Sequence, residues 1–134
     1  MSQENVDLVR RTIDLFNKRE ISRALEEVSD DFEMDWSNSI GPLKGISRGR
    51  QEVLKRWASY IDAWDAVRWE PEEFIEVDEE RLIVVVHAEM RGRASGVPVE
   101  ATAAQLWTFS DGRGQRIKLY QSKAEALKAV GLSE

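Results

Sequence analysis

The sequence predicts an α+β domain in which three N-terminal helices cover one face of a strongly curved antiparallel sheet, followed by a short C-terminal helix. Two observations carry this reading. Apolar residues recur at helical spacing in the first half of the chain, and from Val67 onward the period changes to two. Helices grouped ahead of a strand meander give the α+β class. No internal repeat, low-complexity stretch or Pro/Gly/Ser linker divides the 134 residues, so a single domain with a core of its own is expected.

Val6, Val9, Ile13 and Phe16 recur at three- and four-residue steps, which predicts a helix over Ser2 to Lys18. Ile21, Ala24, Leu25 and Val28 mark a second, shorter helix. Phe32 to Trp36 alternates as a short strand, and Ser37 to Gly49, with three glycines and one proline, reads as a loop. From Arg50, the positions Val53, Trp57, Tyr60, Ile61 and Trp64 share one helical face. One strand is then expected to start at Val67 and Trp69 and to reach Phe74 to Val77, with Pro71 forcing a bulge or an edge position. Arg81 to Arg93, Val97 to Phe109 and Gln115 to Gln121 complete the meander. Ser122 with Glu125 forms a capping box for the last helix, which Gly131 ends in a left-handed cap.

Composition excludes several functions. Nineteen Lys and Arg against 25 Asp and Glu give a net charge of −6, which argues against nucleic acid or an anionic membrane as partner. Without cysteine there is no disulfide, thiol nucleophile or thiolate metal site, and a single histidine leaves few ways to hold zinc. No metal and no organic cofactor is expected. The polar N-terminus does not read as a signal peptide, and the apolar run Leu82 to Val86 is too short to span a bilayer, so a cytoplasmic protein is expected. There is no phosphate-binding glycine loop and no Ser-His-Asp arrangement.

A sheet bent around helices leaves a hollow, and alternation sorts the side chains that face it. Gln105 falls on the apolar face of its strand between Ala103 and Trp107, where it serves either as a structural hydrogen-bonding group or as a ligand contact. His87 falls on the outer face, with Glu89 and Arg91. Asp35 alternates with Met34 and Trp36. Simple alternation leaves it in water; the alternative aims it into the hollow, where desolvation would suit it to act as a general base. Five tryptophans read as core residues or, as a set, as the wall of a pocket for a flat apolar ligand. Phe16, Trp36, Trp57, Tyr60, Trp107 and Tyr120 are the residues expected to touch such a ligand.

Several strings in this order resemble the nuclear-transport-factor-2-like superfamily, in its SnoaL-like branch, the relatives of ketosteroid isomerases and polyketide cyclases. They are Asp30-Asp31-Phe32-Glu33-Met34-Asp35-Trp36, Gly45-x-x-x-Gly49 before a Trp-containing helix, and Ser95 to Glu100 leading to Leu106-Trp107-Thr108-Phe109-Ser110-Asp111-Gly112. Leu119-Tyr120 ahead of Ala124-Glu125-Ala126-Leu127 completes the set. The resemblance covers nearly the whole chain and implies one SnoaL-like domain over 1–134, a cone-like sheet with a pocket at one end, and a homodimer formed through the outer sheet face. It also implies that Asp35 occupies the position of the isomerase general base and favours its facing the pocket. Thr12 falls where the isomerase has its oxyanion-hole tyrosine, and Gln105 where it has a protonated aspartate. Neither is an acidic donor, so steroid isomerisation is not expected. Two function classes remain: a binder of a small apolar molecule, or a cofactor-independent enzyme with Asp35 as base, Gln105 orienting the substrate, and Tyr60 or Tyr120 as donors.

Overall fold

The computed structural model describes residues 3–37, 45–93 and 95–132. These form α1 (Gln3–Asn17), α2 (Ile21–Ala24) with a 3-10 turn at Leu25–Glu27, β1 (Val28–Asp35), β2 (Ile46–Arg48), α3 (Arg50–Asp62), β3 (Trp64–Asp78), β4 (Arg81–Gly92), β5 (Pro98–Ser110), β6 (Arg113–Tyr120) and α4 (Lys123–Ala129). The expected order of elements holds. The departures are local: β1 begins four residues earlier than alternation indicated, so Val28 opens a strand and does not belong to the second helix; α3 stops at Asp62, so Trp64 opens β3 and does not extend the helical face; and the expected loop contains the short strand β2. The rest of that loop, 38–44, lies outside the described residues.

The strands pair in the order β2-β1-β6-β5-β4-β3. Four of the pairings are antiparallel, but β1 runs parallel to β6, with Met34 opposite Ile117 and Asp35 opposite Lys118, so the sheet is mixed. Alternation reports which face a side chain takes and is silent on the direction of the neighbouring strand. The register slips between Pro71 and Glu73, and again between Thr108 and Phe109. Such bulges bend a strand and increase its twist, which lets the sheet wrap around the helices. Gly49 sits at φ 90°, a conformation closed to most side chains, and this turns the chain from β2 into α3.

The sheet is covered on both faces. On one, the buried stripes of α1 (Val6, Val9, Ile13, Phe16) and α3 (Val53, Trp57, Ile61) meet Met34, Trp69, Leu82, Val84, Val86, Trp107 and Ile117. On the other, Ala126 and Leu127 of α4 cover Ile83, Ala104 and Tyr120. Among the described residues no helix is long and apolar enough to cross a membrane.

The last helix is held at both ends as its sequence indicated. Ser122 Oγ accepts the Glu125 N–H at 3.1 Å. Past the C-terminus Gly131 takes φ 79°, and the Leu132 N–H returns to the Leu127 carbonyl at 2.8 Å. Ser122→Ala is expected to cost about 1 kcal/mol in a urea unfolding experiment, because the first turn loses its only side-chain cap. An unchanged midpoint would show that packing alone holds α4 in place.

Candidate functional site

The helix-covered face of β4 and β5 changes character along its length. At one end it carries Leu82, Val84, Trp107 and Phe109, all buried. Beyond Gln105 the side chains shrink: Val86 pairs with Ala103, Ala88 with Ala101, and Met90 with Val99. Ala103 and Ala88 are half-buried, while Ala101 and Val99 are exposed. The concave face is therefore filled at one end and open at the other, with a floor of alanines.

Aromatic rings wall this floor. Phe16 stacks on Trp69 at 4.0 Å between centroids, and Trp57 meets Phe16 edge-on at 5.4 Å. Trp36 stands edge-on to Tyr60 at 5.4 Å. Tyr60 reaches across to donate its hydroxyl to Met90 Sδ at 3.1 Å, and burial pushes its phenol above the ordinary value, keeping it neutral. Trp57 donates its indole N–H to Met34 Sδ. Trp69 is positioned by a residue that the sequence did not single out. Asn17, the last residue of α1, donates to the Trp69 carbonyl and accepts its N–H, both at 2.8 Å. Nothing in the local pattern marks this clamp, since it joins residues 52 apart.

Two polar groups stand out on this surface. Gln105 is 3% exposed, and its Oε1 accepts the Trp107 indole N–H at 2.9 Å. An indole nitrogen only donates, so this bond fixes which end of the amide is oxygen. The NH2 end of the amide is then the end that can donate to another group. Trp36, 5% exposed, has a buried indole N–H with no partner. Trp36 follows Asp35, which pairs with Lys118, so it stands level with Leu119, the partner of Gln105.

The remaining expected site residues divide. Phe16, Trp57 and Trp107 lie in the same core as this wall, at 1% exposure each. Thr12 also faces it, but its hydroxyl donates to the Leu8 carbonyl one turn back at 2.9 Å, so it is satisfied within α1. Tyr120 is on the opposite face: Ile117 and Leu119 point inward, which turns Tyr120 outward beside Ala104 under α4.

Asp35 also turns away from the hollow, on the face opposite Met34, and it is not in water. It is 3% exposed. Its Oδ1 accepts the Ser37 N–H at 3.0 Å and hydroxyl at 2.6 Å, and its Oδ2 accepts Arg116 Nη2 at 3.0 Å, with Lys118 Nζ at 3.9 Å. Arg116 joins it to Glu33, which also binds Arg48. Burial by itself pushes the Asp35 carboxyl up, but the Ser37 bonds and the charges of Lys118 and Arg116 outweigh it and hold the group below the usual carboxylate range. A general base works best with a pKa near the working pH, and these partners hold the Asp35 carboxyl in the other direction.

The outer face beyond α4, where the resemblance places a second copy, carries Arg68, Glu70, His87, Glu89, Arg91 and Glu100. It is a charged surface.

A family model described as the SnoaL-like domain matches residues 9–117. No curated protein matches the sequence. Among solved structures, TerC co-crystallised with polyporic acid is 21% identical over 96% of this chain and 98% of its own, with a TM-score of 0.79. The epoxide hydrolase/cyclase-like enzyme SalBIII of salinomycin pyran-ring formation is 17% identical over 92% and 94%, at 0.75. A Mycobacterium tuberculosis protein in complex with estradiol-17beta-hemisuccinate is 12% identical over 92% and 98%, at 0.76. At these identities the likeness is one of fold.

Proposed function

The chain belongs to the SnoaL-like domain family, and on that premise we propose that it binds a small, largely apolar molecule carrying a hydrogen-bond acceptor, without converting it. One observation carries this reading: Trp36 brings a buried N–H with no partner, and Gln105 the NH2 end of its buried amide, to an apolar, aromatic-walled concave face. A buried donor left unpaired costs about 1–3 kcal/mol, and a carbonyl or ether oxygen seated on the alanine floor would recover it. Structural neighbours that hold polyporic acid or a steroid hemisuccinate in the same fold support the ligand class, flat rings bearing oxygen. The alternative, acid–base catalysis by Asp35, has less support, because that carboxylate is committed to Arg116 and Ser37.

The experiment compares two ligands of one shape, the bicyclic ketone α-tetralone and the hydrocarbon tetralin, by isothermal titration. The ketone is expected to bind about tenfold more tightly, the worth of one recovered hydrogen bond. Gln105→Leu is expected to remove most of that preference while leaving hydrocarbon binding in place. Equal affinity for both ligands, or binding of neither, would sink the reading.

A further inference from the structure

We infer that His87, Glu89 and Glu100 form a binding site for a divalent transition-metal ion of the zinc class on the outer face of β4 and β5. The site is separate from the concave hollow and does not depend on what the hollow binds.

The ladder assembles it. His87 pairs with Thr102, and two residues along, Glu89 pairs with Glu100, so the four side chains share one face. Like charges directly opposite each other weaken a sheet unless something neutralises them. Arg68 faces Glu89 from β3, yet it pairs with Glu70 at 3.0 Å instead. The two carboxylates close on the imidazole. His87 Nε2 lies 3.4 Å from Glu100 Oε1 and 3.7 Å from Glu89 Oε1, and the ligand atoms of all three residues lie within 4.8 Å of one another.

Those separations fit a metal. Zinc bound to imidazole nitrogen and carboxylate oxygen at about 2.0–2.2 Å in tetrahedral geometry sets neighbouring ligand atoms roughly 3.4 Å apart. The two distances from Nε2 are already near this value, and only the carboxylates need to approach each other, by rotation of exposed side chains. His87 Nδ1 lies 3.4 Å from Thr102 Oγ1, so the ring has a second partner on the side away from the carboxylates, as metal-ligating histidines do. One imidazole with two carboxylates suits zinc, cobalt or manganese better than calcium or magnesium, which favour oxygen ligands throughout.

The test is a titration of untagged, chelator-treated protein with zinc chloride and with cobalt chloride. One equivalent of zinc per chain is expected to bind with a micromolar dissociation constant, and cobalt to give the visible absorption of a low-coordinate ion. Glu100→Gln is expected to weaken binding at least tenfold, and His87→Ala to abolish saturable binding. As the chain has a single histidine, its imidazole proton signals report the site without assignment, and they are expected to shift on zinc addition even if a variant fails to fold. Absence of saturable binding, binding that persists in His87→Ala, or unmoved imidazole signals would each overturn the assignment and leave the trio as ion pairs alone.

Discussion

Replacement of Trp57 by alanine is expected to lower stability by about 3–5 kcal/mol, as for other large aromatic side chains deleted from a core. The residue is 1% exposed on the buried stripe of α3, edge-on to both Phe16 at 5.4 Å and Trp69 at 6.4 Å. Its neighbours belong to separate elements, α1, β1 and β3, and cannot all collapse into the vacated space. An ordinary domain has only about 5–15 kcal/mol in total, so the variant should be close to its unfolding threshold at 37 °C. The melting temperature should fall by roughly 10–20 °C. Urea unfolding followed by far-UV circular dichroism, with the slope unchanged and the midpoint lowered, is the check. A loss below 1 kcal/mol would mean that the aromatic cluster is loosely packed, and that the wall assigned to the hollow is not rigid.

Asp35→Asn is the second large effect, and it separates a structural from a catalytic role. Asparagine keeps the size and can still accept from Ser37, but its amide NH2 then faces the Arg116 guanidinium, donor against donor. A fully buried pair broken in this way loses about 3–5 kcal/mol; Arg116 is 41% exposed and can turn to water, so about 2–3 kcal/mol is expected. The pH dependence follows from the lowered carboxyl. The ionised form is favoured by folding, so its contribution is complete above the unfolded-state value of about 4 and disappears as the pH falls through the folded-state value. Wild type should therefore lose stability below about pH 4 more steeply than Asp35→Asn, and the two curves should converge in acid. Full stability of Asp35→Asn at pH 7 would return the carboxylate to the list of groups free for chemistry.

The parts of the fold legible in the sequence are those that local rules decide. Val6, Val9, Ile13 and Phe16 mark α1 because a helix repeats every 3.6 residues, and Ser122 marks α4 because a cap must accept a first-turn N–H. The facing of Gln105 and His87 was equally open to alternation. Long-range pairing was not. Strand β2 is three residues inside a glycine-rich stretch, too short to show a period, and it exists because β1 offers it an edge. Asp35 illustrates the limit at the site. Alternation turned it away from the hollow, but the arginine that removes it from water comes from β6, 81 residues on, through a parallel pairing with no local signature. The resemblance to isomerases pointed it inward; the ion pair with Arg116 holds it on the other face. Likewise His87 and Glu100 are 13 residues apart and join only through the register of β4 and β5.

The bond between Asn17 and Trp69 has a consequence outside the hollow. Strand β3 ends the sheet, so its outward-facing amides are a template on which a strand from another molecule could form. At Trp69 both backbone groups are already taken by one side chain, and two residues on Pro71 has no N–H to offer. A stranger strand would find no continuous row to zip along, which protects a molecule with an unclosed sheet from growing into fibres.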